Sequence, residues 1–268
     1  DLKIIIDNPM RGFYNIDATG KPLTVTYSVS HIHKIKVPSI NFDNILHPVF
    51  HKQLSETGIL TQGIESIKNY VYWEMSRAFA DEYQQRKTKC DNTIPPYSYS
   101  HRLMYYPRTM ETIEDILHNI DEYQNDSAVI NQLQSIIIKH QYIDQLTAIC
   151  SKLPERQGSR RIKANLWIPE IDLFTFENSP CLQEIKFENL GENNVHITTL
   201  FRSWDAFNGL PANIPGILNL LYTEVLEPNN MMCSRLTCNG EDTHIYSANI
   251  EDAKKIPLMA NEQNNIIY

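Results

Sequence analysis

Cys181, Arg202, Ser203, Asp205 and Asn213 are the residues of this chain whose types and spacing point to chemistry. Cys181 lies in Ser179-Pro180-Cys181-Leu182-Gln183. The others follow in Leu200-Phe201-Arg202-Ser203-Trp204-Asp205 and in the turn Gly209-Leu210-Pro211-Ala212-Asn213, which delivers an amide just before an apolar run. A cysteine attacks as its thiolate, a form that nearby cations favour. Arg160, Arg161 and Arg202 are cations with few carboxylates beside them in this half of the chain. A cysteine after a proline at a strand entrance is also a common small core residue, so both readings stand. Arg202 closes an apolar strand, where alternation points it with Thr198 and Leu200 and opposite Ile197, Thr199 and Phe201. A guanidinium so placed needs an anion: a phosphate held through two bonds, or Asp205 in an internal salt bridge. Arg160-Arg161 reads equally as an exposed turn. Taken together, the strip has the parts that a nucleotide needs. Cys90, Cys150, Cys233 and Cys238 lack cationic company in sequence and read as structural.

The elements that must position these groups follow from periodicity. Residues 23–29 alternate at period two after Gly20-Lys21-Pro22 and predict a strand. Ile64, Ile67, Val71, Met75 and Phe79 predict one core helix over residues 63–85, with Tyr70 and Trp73 nearby. Asn92, Pro95 and Pro96 mark a loop over 88–100 that leads into Tyr97-Ser98-Tyr99-Ser100-His101-Arg102-Leu103. Helices are expected over 109–122 and 128–152, with Asp126 or Ser127 capping the second. The character changes at Pro154. Strands are expected over 162–167, 179–187 and 195–201, with a loop at 169–172 and a hairpin turn over 189–194. A helix over 214–226 carries Ile217, Leu218, Leu221 and Val225 on its buried side.

Composition excludes several classes. With 268 residues, 42% hydrophobic and 21% charged, the chain is an ordinary globular length and mixture, expected to form one domain over 1–268. A net charge of -8 argues against a broad footprint for DNA, so any phosphate site must be local. Five cysteines without CxxC or Cys/His metal spacing argue against a zinc site or a disulfide framework, and favour a reducing compartment. No apolar run reaches the length of a membrane span. The expectation is a cytoplasmic protein that engages no membrane.

Five motifs then occur in one order: Ser159-Arg160-Arg161; Trp167-Ile168-Pro169-Glu170-Ile171-Asp172; Ser179 to Gln183; Phe201 to Asp205 with Gly209 to Asn213; and Asp242-Thr243-His244-Ile245-Tyr246. Together they resemble the thymidylate synthase family, with Arg-Ser-Trp-Asp and Leu-Pro-Ala-Asn closest to its archaeal-type branch. The resemblance covers residues 95–250, a little over half the chain. It makes 1–90 a divergent N-terminal part and 91–268 the nucleotide-binding and catalytic part. It implies an α/β (α+β) fold with a large bent mixed sheet at the back of a homodimer. It also implies one-carbon transfer to carbon five of a pyrimidine nucleoside monophosphate, dUMP in preference, through a covalent adduct with Cys181. The donor would be 5,10-methylenetetrahydrofolate or methylene-tetrahydromethanopterin.

Carried over residue by residue, the resemblance gives Arg202 and Ser203 the nucleotide phosphate, with Arg160 and Arg161 reaching in from the partner subunit. Asn213, delivered by the turn that Gly209 opens, reads the base edge. His244 and Tyr246 bind the sugar 3′-hydroxyl, Asp205 the pterin ring, and Tyr99 assists removal of the carbon-five proton. The catalytic glutamate is Glu74 or Glu65. Leu182 stands where bacterial members have histidine, Gly240-Glu241-Asp242 differs from their Gly-Asp, and their tryptophan-bearing segment is missing. Only 22 residues follow Tyr246, fewer than the bacterial tail that closes over folate. Asp17-Ala18-Thr19-Gly20 faintly resembles the family's phosphate loop, with alanine in place of its arginine. Related hydroxymethylases, acting on dUMP, dCMP or CMP, share the chemistry up to an enzyme-bound methylene and then add water. A non-catalytic nucleotide- or RNA-binding relative is the third reading.

Overall fold

The computed structural model describes residues 24–33, 67–108, 141–175 and 179–254; for 24–33 it describes the backbone alone. The first strand, β1, is Thr24–His33. The helix expected over 63–85 is not continuous. A π-helical segment, Tyr70–Glu74, ends at Met75, and a new helix α1, Arg77–Thr88, begins behind Ser76. Ser76 is extended, and its hydroxyl accepts the Phe79 N–H at 3.2 Å. That cap stops one helix and starts the next, while the apolar spacing runs on across it. Ile67, Val71 and Met75 are buried as expected, but in α1 the buried positions are Ala80 and Tyr83 rather than Phe79.

Helix α2, Tyr99–Met104, starts from Ser98, whose side chain accepts from His101 N–H. Two short strands, β2 (Tyr106–Pro107) and β3 (Tyr142–Ile143), pair with each other. The helix expected over 128–152 does not fill its described part: β3 comes first, and α3, Gln145–Lys152, begins behind an Asp144 cap. The proposed caps at Asp126 and Ser127, the helix over 109–122, Asp17 to Gly20 and Glu65 lie outside the described residues.

Strand β4 is Ile162–Asn165. The loop expected at 169–172 is a helical turn, α4 (Pro169–Asp172), with proline at its first position, where a missing N–H costs nothing. Strands β5 (Leu182–Gly191) and β6 (Asn194–Phe201) form the expected hairpin. Its turn residues Glu192 and Asn193 both have positive φ, 50° and 61°, the geometry that matches strand twist in a two-residue turn. After β7 (Trp204–Asp205), α5 runs Gly209–Leu221, so it begins five residues earlier than expected and contains Asn213 in its opening turns. Pro211 looks like a breaker, but the first turn of a helix has unpaired N–H groups, and proline loses none that matter there. A π-helical turn, Tyr222–Leu226, continues the helix, and β8 spans Met232–Tyr246.

Six strands make one mixed sheet in the order β1-β8-β6-β5-β4, with β7 added on β8. The β8–β6 and β8–β7 pairs are parallel; the others are antiparallel. Burial alternates along β6, so Val195, Ile197, Thr199 and Phe201 face inward. That face, with Leu182, Ile185 and Phe187 of β5, packs on Leu218, Leu221 and Val225, and Leu103, Leu146 and Leu153 extend the same core. The other face carries half-buried Lys186, His196, Thr198 and Leu200. This is the α/β architecture with a mixed sheet that the resemblance implied. No helix among the described residues is long and apolar enough to cross a membrane.

Candidate active site

Strand register brings the distant motifs together. Leu182 pairs with Phe201, and Arg202 N–H donates to the Cys181 carbonyl at 2.9 Å, so the cysteine and the arginine meet at the same end of the β5–β6 hairpin. The half-buried Arg202 side chain does not pair with Asp205. Its Nε donates to the Pro180 carbonyl at 3.1 Å and its Nη2 to the Ser179 carbonyl at 2.8 Å, which holds the corner preceding the thiol. Asp205 instead accepts from the N–H of Phe207 at 2.9 Å and of Asn208 at 3.2 Å, and from Asn208 Nδ2 at 3.1 Å. Its carboxylate shapes the turn into α5, behind the cleft.

Cys181 is a free, half-buried thiol. Burial pushes its pKa up, against the pull of the Arg202 cation and of a hydrogen bond from Tyr97. The three-cation neighbourhood expected from sequence does not form within one chain. Ile162 pairs with Phe187, which puts Arg160 and Arg161 beside the far end of β5. Phe187 lies six positions along the chain from Cys181, roughly 20 Å in an extended strand. Both arginines are exposed there, and neither makes an ion pair with a described residue.

Two tyrosines flank the thiol. The Tyr99 hydroxyl accepts the Leu182 N–H at 3.4 Å, and burial raises its phenol well above the ordinary value. Tyr97 lies beside Cys181 and packs on Tyr99, with ring centroids 5.6 Å apart. Ser100 Oγ donates to the Glu74 carbonyl at 2.8 Å and ties this helix to the π-helical segment. Sequence reasoning named Tyr99 and missed Tyr97, because two tyrosines two residues apart in Tyr-Ser-Tyr-Ser cannot be ranked without the fold.

Asn213 sits between two aromatic partners. Its Oδ1 accepts Trp204 Nε1–H at 3.0 Å, and its Nδ2 donates to the Tyr70 hydroxyl at 3.0 Å. Tyr70 and Trp73 appeared in the sequence only as aromatics beside a helical stripe; here both line the cleft. Their one signal was being aromatic yet off that stripe.

These groups open on one cleft of about 1090 Å³. Its lining includes Cys181, Tyr99, Arg202, Ser203, Asn213 and Tyr246, together with Trp73, Glu74, Phe79, Pro95, Pro96 and Tyr97. Partial burial pushes the Glu74 carboxyl up. His244 lies behind Ser203, with Nδ1 3.5 Å from its Oγ and the ring edge-on to Tyr246 at 5.0 Å. Its Nε2 is buried without a partner. Gly209 opens α5 where an added Cβ would stand 3.3 Å from Asp205 Cβ and 3.4 Å from Asn213 Oδ1, so the lack of a side chain lets these groups crowd together. Asp205, Gly209 and His244 are therefore second to the wall, and Arg160 and Arg161 are outside it. No cluster of three metal-ligating side chains occurs among the described residues.

The sequence profile of the family described as Thymidylate synthase matches residues 61–264. A protein from Methanococcoides burtonii named "Putative thymidylate synthase" is 32% identical over 114 residues, 42% of this chain and 51% of its own length. One of the same name from Methanosarcina mazei is 40% identical over 104 residues, 39% and 46% of the two lengths. The thymidylate synthase of Buchnera aphidicola subsp. Schizaphis graminum is 31% identical over 114 residues, 42% of each chain. The chain thus spans about half the length of these relatives. With a profile match across most of its length, a mixed sheet that joins the motifs, and a cysteine, an arginine and an asparagine on one cleft, the chain belongs to the thymidylate synthase family.

Proposed function

We propose that the protein transfers a one-carbon unit to carbon five of a pyrimidine nucleoside monophosphate, with dUMP as substrate and Cys181 as nucleophile. The observation that carries this is the shared wall: thiol, guanidinium, hydroxyl and carboxamide face one cleft large enough for two ligands. The Cys181 sulfur adds to carbon six of the uracil, and the electron pair of the ring double bond moves to carbon five. That carbon forms the new bond to the one-carbon unit, which its donor releases; the carbon-five proton then leaves to water, with the protonated phenols of Tyr99 and Tyr97 near the thiol to hold and relay through that water. Release of the sulfur restores the ring double bond. Arg202 and Ser203 are placed to take the phosphate, because a guanidinium that spends two donors on carbonyls still has others to offer. The hydroxyl of Tyr246, on the cleft wall, would take the sugar hydroxyl, with His244 edge-on behind it.

The aromatic and proline-rich part of the lining would take a reduced pterin. Trp73, Phe79, Pro95, Pro96 and Tyr97 offer flat apolar faces for a bicyclic ring, and Glu74 offers a carboxyl with raised pKa. When bound, the methylene-pterin supplies the one-carbon unit and, in a synthase, the hydride. Asp205 bonds its own turn, so its part in holding the pterin would be indirect.

Arg160 and Arg161 would complete the phosphate site of a second copy, with the half-buried face of the sheet as the contact. The test is a product assay with dUMP, dCMP and methylene-tetrahydrofolate, read by mass spectrometry. Methylated dUMP is expected, with loss of product and of carbon-five tritium release in Cys181→Ala. Turnover that survives Cys181→Ala overturns the covalent reading, and a hydroxymethyl product moves the protein to the hydroxymethylases. Mixing Cys181→Ala chains with Arg160→Ala/Arg161→Ala chains should restore activity to two inactive preparations. No restoration overturns the shared site.

A further inference from the structure

We propose that Trp204 makes the base-reading end selective: its indole N–H holds the Asn213 carboxamide in the one orientation that accepts uracil and refuses cytosine. The inference rests on the pyrimidine-nucleotide reading above and adds a positioning residue to it.

An asparagine alone reads either base. Its carboxamide carries an acceptor and a donor side by side, and half a turn about the last side-chain bond exchanges them. Uracil presents N3–H and O4, a donor beside an acceptor; cytosine presents the reverse. Selectivity must therefore come from whatever forbids the half-turn. The indole nitrogen can only donate, so the atom 3.0 Å from Trp204 Nε1 has to be the carboxamide oxygen. That places Nδ2 against Tyr70 and leaves one lone pair on Oδ1 and one N–H on Nδ2, the complement of uracil. Cytosine would then meet donor against donor and acceptor against acceptor.

Tyr70 cannot impose this orientation alone. Burial keeps its phenol protonated well beyond neutral pH, so the hydroxyl accepts from Nδ2 as found or donates to Oδ1 after a half-turn. Trp204, in contrast, is fixed. It is 2% exposed, stacks on Phe201 with centroids 4.3 Å apart at 3°, and its backbone pairs with Thr243 of β8. Gly216 completes the arrangement, since an added Cβ there would stand 2.6 Å from Tyr70 Cε1.

The test is calorimetric binding of dUMP and dCMP to the full chain. Three altered proteins are compared with wild type: Trp204→Phe, Tyr70→Phe, and a chain whose Trp204 indole is replaced by benzothiophene, which keeps the stacked bicycle and deletes only the N–H. Wild type should prefer dUMP. Removing the N–H should lower the dUMP-to-dCMP affinity ratio about tenfold or more, chiefly by admitting dCMP, while Tyr70→Phe keeps the ratio. A purely structural role would weaken both nucleotides together. An unchanged ratio in the benzothiophene protein overturns the lock and leaves the proposed function standing, even should Trp204→Phe fold poorly. A fall in Tyr70→Phe as large as in that protein overturns the assignment to Trp204. A wild type that binds neither nucleotide, or prefers dCMP, overturns both.

Discussion

Asp172→Ala should be among the most damaging single changes outside the cleft. Asp172 is fully buried, and its carboxylate accepts Arg102 Nη2 at 3.0 Å, Arg102 Nη1 at 3.4 Å and the Ile168 N–H at 2.6 Å. The Arg102 side chain is 8% exposed. Alanine leaves a cation without a counter-charge where water hardly reaches, and strands one backbone donor. Losing one partner of such a pair costs about 3–5 kcal/mol. In a chain of this size each kcal/mol moves the melting midpoint about 2–4 °C, so a fall of roughly 6–20 °C is expected. The double change Arg102→Leu/Asp172→Ala removes both charges. It leaves mainly the Ile168 N–H unsatisfied, worth about 1–3 kcal/mol, so it should be more stable than the single change. Urea unfolding of the wild type and both variants, followed by circular dichroism, measures the difference. A loss under about 1 kcal/mol in Asp172→Ala, or a double variant no better than the single one, would refute the charge-stranding argument. The pair also reaches the site. Arg102 shares α2 with Tyr99, and Ser179, whose carbonyl holds Arg202, sends its hydroxyl toward the Asp172 carbonyl at 3.4 Å.

Two further outcomes test the electrostatics. Iodoacetamide labelling of Cys181, read by peptide mass spectrometry, should stay slow at neutral pH and rise above pH 9, the ordinary value from which burial raises this thiol; Arg202→Gln and Tyr97→Phe should each slow it several-fold at fixed pH. Faster labelling in either variant contradicts the reading that both stabilise the thiolate. Burial, with Lys87 and Arg102 nearby, holds the His101 imidazole down to about 3. The unfolded chain protonates below about 6.5, so the stability from neutral His101 is full above that pH and drains away toward pH 3, with about 3 kcal/mol lost by pH 4. His101→Gln should flatten that slope between pH 6 and 4, and a slope unchanged by the substitution would show that other groups set it.

Much of the second half was legible along the chain. The alternation of β6 and the turn residues of its hairpin are local facts, and local steric and burial rules suffice to read them. The first helix failed at Ser76 because a single side chain outcompetes an apolar stripe only when its hydroxyl meets the Phe79 N–H. At α5 the error ran the other way. Gly209 to Asn213, with Pro211 inside it, read as a turn, yet the described helix begins at Gly209 and accommodates that proline.

By itself the sequence determined which chemical groups the protein owns and the order of its motifs: Cys181, Arg202, Ser203 and Asn213 carry thiol, guanidinium, hydroxyl and carboxamide wherever they lie. The tertiary structure alone decided which of them meet. Strand register joined Cys181 to Arg202 and sent Arg160 and Arg161 to the other end of β5. The loop entering α2 set Tyr97 rather than only Tyr99 against the thiol, and tertiary packing set Trp204 and Tyr70 around Asn213. The physical reason is range. Residue type and periodicity act over a few positions, whereas pairing, burial and the direction of a hydrogen bond depend on distant neighbours, as with Tyr70 and Asn213, 143 positions apart.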